Sequence, residues 1–145
     1  MVAHHFKMRS DLLSYNLSGM GCSASLVSID LAKRLLESRP RSRALVVSTE
    51  NLTQAFYHGN DRAFLLQNTL FRCGGAAVLL SNRPTDGLKA KFKLLHVVRT
   101  QGTDDAAYNA VFSCEDSKGD KGVRLSKDIV KVAGNLMQKN LTTIG

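Results

Sequence analysis

Residues 16–38 read NLSGMGCSASLVSIDLAKRLLES, and this stretch combines a tight glycine turn with the clearest helical pattern of the chain. Gly19 and Gly21 make the turn, and Cys22 follows directly. From Cys22 onward the charged residues fall three or four positions apart, which predicts a helix. These charged residues are Asp30, Lys33, Arg34 and Glu37. We expect the helix to end at residues 39–40, because proline disfavours helical backbone in the residue before it.

The two halves of this helix differ in composition. Residues 22–29 contain no charged side chain, so we expect this half to be buried on every side. The second half carries the charged stripe towards solvent, and Val27, Leu31 and Leu35 face away from it.

Outward from this stretch, segments with strand and helix patterns alternate, which predicts an α/β fold. Strands are expected over residues 12–17, 44–49, 76–80 and 92–100, with 108–114 pairing with 92–100 through a turn at 102–105. The apolar runs at 44–49 and 76–80 are expected to be buried strands. Helices are expected over residues 62–71 and 127–140, and loops or turns over residues 51–60, 81–87 and 116–122. Ser126 is the expected N-cap of the last helix. The expected apolar stripe of that helix is Leu125, Ile129, Val132, Leu136 and Met137.

Length and composition limit the class of protein. The chain has 145 residues, 43% of them hydrophobic, which fits one domain over residues 1–145 and excludes a disordered polar chain. No apolar run approaches the roughly 20 residues of a membrane span. Residues 1–10 lack the apolar core of a signal peptide. The chain alone is therefore expected to be cytoplasmic.

Cysteine and histidine usage argues against a metal site. The three cysteines are Cys22, Cys73 and Cys114, an odd number without a CxxC pair. This excludes a disulfide framework and predicts no zinc site. None of the four histidines lies at metal-ligand spacing with Cys or Glu. A reducing compartment is the simpler expectation.

The net charge of +8 suggests an anionic partner, such as nucleic acid, a membrane surface or a phosphorylated ligand. Two basic clusters carry much of it: Lys33, Arg34, Arg39, Arg41 and Arg43, then Arg83, Lys89, Lys91 and Lys93. No helix-turn-helix or RNA-recognition pattern accompanies the charge, so no nucleic-acid partner is expected. The alternative is that both clusters are solvated turns.

Cys22 is the candidate catalytic residue. Free backbone N–H groups and the positive end of a helix dipole favour a thiolate at a helix N-terminus. Nearby N–H groups could also stabilise an oxyanion, and the glycines allow a substrate to approach closely. The alternative is a buried structural cysteine, and a Gly-x-Gly-Cys turn by itself does not decide between them.

Residues 16–24 (NLSGMGCSA) resemble the nucleophile motif of plant 3-ketoacyl-CoA synthases, the condensing enzymes of very-long-chain fatty acid elongation. The resemblance continues through nearly the whole chain in the same order. The other matching segments are residues 28–33 (SIDLAK), 47–51 (VSTEN), 70–72 (LFR), 74–82 (GGAAVLLSN), 123–128 (VRLSKD) and 132–134 (VAG).

The resemblance implies a thiolase-like fold of two similar α/β halves, of which this chain would be most of one half and the start of the link to the second. It also implies a Cys-His-Asn site that performs a decarboxylative Claisen condensation of acyl-CoA with malonyl-CoA, without a separate cofactor. Cys22 matches the acyl-accepting cysteine, whereas the family's His and Asn would lie beyond Gly145. The chain alone is therefore predicted to be inactive.

The family also implies the cytosolic face of the endoplasmic reticulum membrane, pairing with the missing half or a homodimer, and elongase components as partners. Two residues depart from the family pattern: Ser25 replaces a glycine, and Gln101 replaces a histidine. His96 is interpreted as structural, within a strand. The alternatives are a truncated paralogue that only binds a partner and part of a type III polyketide synthase-like enzyme.

Overall fold

The computed structural model describes residues 2–145, and its mixture of helices and strands confirms the α/β class in this coarse sense. The helices are α1 (Val2–His5), α2 (Ala24–Ser38), α3 (Arg62–Leu70), α4 (Pro84–Gly87), α5 (Asp105–Tyr108) and α6 (Ile129–Ile144). The strands are β1 (Arg43–Glu50), β2 (Gly74–Ser81), β3 (Val111–Glu115) and β4 (Lys121–Leu125). No helix within residues 2–145 is both long and apolar enough to cross a bilayer.

The strands form two separate antiparallel pairs. β1 pairs with β2 in a register that places Arg43 opposite Ser81 and Glu50 opposite Gly74. β3 and β4 form a hairpin with Val111 opposite Leu125. Each pair has only two strands, so each depends on other elements to cover its faces.

Helix α2 packs against the β1–β2 pair and covers one face of it. Ala32 and Leu36 are the buried apolar residues of this helix. On the opposite face, Leu45 lies across from Leu79, and both side chains remain exposed. Apolar side chains of the strand pair therefore pack against another element on one face only.

Two predicted strands are absent from residues 2–145 as the structure describes them. Residues 12–17 and 92–100 are irregular, so both predictions were wrong. The predicted pairing of residues 108–114 with 92–100 was also wrong, because β3 pairs forward with β4 across the polar turn at residues 116–120. A strand requires a partner, and a short hairpin supplies the nearest one.

Several burial predictions were also wrong. In the half-helix 22–29 no residue is fully buried, and Leu26 is largely exposed. β1 and β2 form where they were predicted, but neither is buried: β1 is half-buried on one face, and β2 is almost wholly exposed. His96 lies exposed in an irregular segment rather than packed within a strand. Conversely, Asp30 of the predicted solvent stripe is buried.

Helix α6 confirms the last predicted helix, and it extends four residues further than expected. Its start is shifted to Ile129 and its N-cap residue is Asp128, so the prediction of Ser126 as the N-cap was wrong. The Ser126 hydroxyl instead accepts the backbone N–H of Asp128 at 3.1 Å, one residue before the helix. Ile129, Val132 and Leu136 of the predicted stripe are half-buried. Met137, the last member, is exposed.

The chain leaves much of its surface uncovered. Its accessible surface is 12173 Å², whereas a compact monomer of 15.8 kDa exposes about 7,300 Å². The exposed large apolar side chains are spread along the chain, in residues 2–20 and 88–95 as well as in β1, β2 and α6.

Candidate functional site

Cys22 lies in a single 3₁₀ turn, Gly21–Ser23, immediately before α2 begins at Ala24. The predicted helix from Cys22 is therefore confirmed, with a tighter first turn. The Ser23 hydroxyl donates a hydrogen bond to the Met20 carbonyl at 2.7 Å, which closes this turn. Cys22 is thus placed at the N-terminal end of a 15-residue helix.

The two glycines adopt backbone angles that other residues rarely adopt. Gly19 has φ +75° and Gly21 has φ +56°, both in the left-handed region. No atom lies within 4 Å of a Cβ placed on either one, so the requirement for glycine is conformational rather than steric. Their backbone conformation directs the chain into the turn that presents Cys22.

Within residues 2–145, no side chain caps the first turn of α2, and the N–H of its first residue, Ala24, donates to the Gly21 carbonyl. Ser23 is its N-cap residue, yet its side chain makes no capping hydrogen bond to the helix. The N–H groups at the start of α2 are therefore not satisfied by a capping side chain, and they carry the positive end of the helix dipole. Cys22 is exposed beside them.

Side chains from distant parts of the chain hold α2 in place. Asp30 accepts hydrogen bonds or ionic contacts from Arg34 at 3.3 Å and from Arg99 at 3.6 Å. At the other end of the helix, the Asn82 amide donates to the carbonyls of Leu36 at 2.5 Å and Arg39 at 2.7 Å. These contacts satisfy the last carbonyl groups of α2 and join it to the end of β2.

An ion pair reinforces the same end of the sheet. The Arg43 guanidinium donates two hydrogen bonds of 2.6 Å to the two carboxylate oxygens of Asp86. The Ser81 hydroxyl donates a third, also at 2.6 Å. The hydrogen bonds from Arg43 and then Ser81 lower the pKa of Asp86 well below its usual range. Burial opposes this shift but is outweighed.

A second hydrogen-bonded centre surrounds Tyr57. Its hydroxyl donates to the Asp116 carboxylate at 2.5 Å and accepts the backbone N–H of Asp61 at 3.1 Å. Burial, followed by the hydrogen bond to Asp116, raises the pKa of Tyr57. The same hydrogen bond lowers the pKa of Asp116. The Tyr57 ring stacks on Phe64 with centroids 4.8 Å apart.

Four residues of these contacts were not predicted from the sequence: Asn82, Asp86, Tyr57 and Asp116. Asn82 and Asp86 were expected in one turn and Asp116 in another, without their partners. The partners of Asn82 and Asp86 are about 40 residues away in the chain. The sequence showed only that these Asp and Asn residues lie in polar turns. A polar turn by itself does not identify a distant hydrogen-bond partner.

A cavity of about 760 Å³ lies between α6 and the 100–107 segment, away from the cysteine turn. Leu136, Val132 and Ala107 contribute to its walls, together with polar residues such as Asn135. Cys22 does not line it. Within residues 2–145, no group of three or more His, Cys, Asp or Glu side chains is arranged to hold a metal ion.

Comparison with known proteins relates these features to a family. Residues 1–145 match the family model described as FAE1/Type III polyketide synthase-like protein. The chain is 54% identical over its whole length to 3-ketoacyl-CoA synthase 5 and 55% identical to 3-ketoacyl-CoA synthase 2, both of Arabidopsis thaliana. It is 50% identical to probable 3-ketoacyl-CoA synthase 20 of Oryza sativa subsp. japonica.

The chain covers 30% of the length of the first of these relatives and 28% of the other two. No solved structure matches the chain. The resemblance noted in the sequence is thus confirmed at the level of the family.

Proposed function

The chain belongs to the FAE1/Type III polyketide synthase-like family, and from this premise we propose that it carries the acyl-accepting nucleophile of a 3-ketoacyl-CoA synthase. The 3-ketoacyl-CoA synthases that match at 54% and 55% identity favour fatty acid elongation over polyketide synthesis. The position of Cys22 in the glycine turn before α2 is the single observation that carries the proposal.

In the proposed first step, the Cys22 thiolate attacks the thioester carbonyl of an acyl-CoA. A tetrahedral oxyanion forms and then collapses, which breaks the bond between the acyl carbon and CoA sulfur and releases CoA thiolate. The acyl group remains on Cys22 as a thioester. Backbone N–H groups of the first turn of α2, which no side chain caps, are the proposed donors to the oxyanion, because donors aimed at developing charge stabilise it.

In the proposed second step, malonyl-CoA loses carbon dioxide, and the resulting carbanion attacks the Cys22 thioester. The new carbon–carbon bond gives a 3-ketoacyl-CoA, and the Cys22 thiolate leaves. In the family this step depends on a His and an Asn, and no histidine of this chain is assigned that role. We therefore propose that the 145-residue chain accepts an acyl group but does not complete the condensation.

The substrates proposed are acyl-CoA and malonyl-CoA, and no separate cofactor is required by this chemistry. The cytosolic face of the endoplasmic reticulum and a homodimer belong to the same proposal, because both follow from the family. The left-handed backbone of Gly19 and Gly21 supports it, because this conformation directs the chain into the turn in which Cys22 is exposed.

The test is whether a covalent acyl thioester forms on Cys22. The folded chain is incubated with a long-chain acyl-CoA, and peptide mapping by mass spectrometry locates the thioester. We expect acylation of Cys22, faster labelling of Cys22 than of Cys73 by iodoacetamide, and loss of the adduct in Cys22→Ala. Cys73→Ala is the matched control, since Cys73 is also exposed but follows no glycine turn. Equal acylation of both cysteines, with a native circular dichroism spectrum, would overturn the proposal.

A further inference from the structure

Residues 88–95, LKAKFKLL, form an exposed irregular segment after α4, here called the lysine segment. Leu88 is 93% exposed and Phe92 is 91% exposed. Lys89, Lys91 and Lys93 alternate with these apolar residues and are also exposed. The two largest apolar exposures of the described chain therefore lie within a five-residue run that also contains two lysines.

The lysine segment begins beside a group of arginines. The Arg83 guanidinium donates to the Arg41 carbonyl at 2.7 Å, and Asn82 donates to the Arg39 carbonyl. Arg39, Arg41 and Arg83 are exposed and are here called the basic end. The Lys89 backbone N–H bonds the Asp86 carbonyl at 3.0 Å, which fixes the start of the lysine segment there.

The nearby acids do not neutralise this surface. Asp86 is engaged by Arg43, and Glu37 is engaged by Lys33 at 2.6 Å. Among the described residues, Lys89, Lys91 and Lys93 form no ion pair with a carboxylate. Lys93 is four residues beyond Lys89, hence within about 14 Å of it. The three lysines, which follow the basic end in the chain, therefore carry positive charge that no ion pair within residues 2–145 neutralises.

We propose that the basic end and the lysine segment form a docking surface for an anionic phospholipid bilayer. Phe92 and Leu88 enter the boundary between headgroups and acyl chains, while the lysines and arginines contact lipid phosphates. Both apolar side chains are more than nine-tenths exposed, so insertion requires no unfolding of the core.

The combination of apolar and cationic residues favours a bilayer over other anionic partners. A soluble phosphate or a nucleic acid would attract the cations, but it offers no apolar phase for Leu88. A bilayer satisfies both features, because peripheral binding uses apolar insertion together with attraction to acidic lipids. The proposal does not depend on Cys22, so Cys22→Ala is expected to bind equally well.

The experiment is cosedimentation of the full chain with vesicles. The two compositions are phosphatidylcholine alone and phosphatidylcholine with about 30% phosphatidylserine, in about 0.1 M salt. We expect binding to the acidic vesicles, weakening steeply as salt is raised. Replacing the three lysines of the segment by glutamine should weaken binding by about a hundredfold, from about fivefold for each charge.

Leu88→Ser with Phe92→Ser should weaken binding by about tenfold or more, because the inserted apolar area is lost. The matched apolar control is Val130→Ser with Leu141→Ser, two exposed residues of α6. The matched charge control replaces Lys118, Lys131 and Lys139, which are exposed elsewhere. Both controls should change binding by less than about twofold, within the usual range for surface substitutions.

Three outcomes would overturn the proposal. They are equal binding to neutral and acidic vesicles, equal losses in the control variants, and displacement of the protein from vesicles by free CoA at low concentration. The last outcome would assign the surface to a soluble phosphate ligand.

Discussion

The α2/β1/β2 region and the region built from α3, β3 and β4 use their apolar residues differently. Around Tyr57, which is 1% exposed, and Phe64, which is 2% exposed, the second region closes a small core. In the first region, α2 covers one face of the strand pair, and Leu79 on the other face is 63% exposed. The region that carries Cys22 is therefore the open one.

The chain thus closes a buried core in one region and leaves an apolar sheet face exposed to solvent in the other. The closed region makes its main polar contacts within itself: Asn68 exchanges two hydrogen bonds with the Tyr57 backbone, and Asp116 accepts the Tyr57 hydroxyl. One buried polar atom of this region, Gln67 Oε1, has no hydrogen-bond partner within residues 2–145. In the open region, the Asn82 amide donates hydrogen bonds to carbonyl groups at the end of α2, but few apolar side chains are buried. Its exposed apolar surfaces suit contact with further protein.

The largest expected effect concerns catalysis by the open region. The 145-residue chain should form no 3-ketoacyl product from acyl-CoA and radiolabelled malonyl-CoA. Each missing donor to the malonyl thioester costs on the order of 10²–10³ in rate, so two together remove measurable turnover. Cys22→Ala is the control for background. A product that depends on Cys22 would show that the open region is complete, and His96→Ala would be the next variant to assay.

The next effect separates the cores of the two regions. Phe64→Ala should lower the free energy of unfolding by about 3–5 kcal/mol, because it removes a buried ring that stacks on Tyr57. Leu79→Ala in the open region should cost less than about 0.5 kcal/mol, as an exposed substitution does. Urea unfolding followed by circular dichroism measures both. Similar losses in the two variants would mean that the open face is covered in solution.

A smaller effect follows from crowding within the closed region. A Cβ on Gly122 would lie 2.7 Å from Phe64 Cδ1 and 2.9 Å from Tyr57 Cδ2, so Gly122→Ala should destabilise by about 1–3 kcal/mol. Gly134→Ala in α6 meets nothing within 4 Å and should stabilise by about 1 kcal/mol, because alanine favours helix. Thermal unfolding of both variants tests the contrast. A neutral Gly122→Ala would contradict tight packing there.

The smallest expected effect is the pH dependence of the closed region. The raised pKa of Tyr57 contributes stability that is complete below about pH 10 and is lost as pH rises through the folded pKa. The lowered pKa of Asp116 contributes stability above about pH 4 that is lost as pH falls. The stability difference between the native chain and Tyr57→Phe should therefore be largest between these limits. A stability difference between the two proteins that stays constant from pH 7 to above about pH 10 would contradict a raised pKa of Tyr57.

Much of the local structure was predictable from residue patterns. The helix after Cys22, the helix at residues 62–70 and the strands at residues 43–50 and 74–81 all lie where the patterns indicated. Periodicity, glycine and proline act within a few residues, so a local pattern determines them. The same holds for the candidate site, because the turn and helix that present Cys22 are contained in residues 16–38.

Strand pairing, burial and the supporting contacts were decided by the tertiary structure. β1 pairs with β2 across more than 20 intervening residues. β3 pairs with β4 rather than with the segment at 92–100, which forms no strand. Asn82 and Asp86 acquired their roles only when residues about 40 positions away came into contact with them. The sequence by itself determined where most turns, helices and strands form, because those preferences depend on neighbouring residues. Only the tertiary structure decided which faces are covered, because burial depends on the surface that another element brings to each side chain.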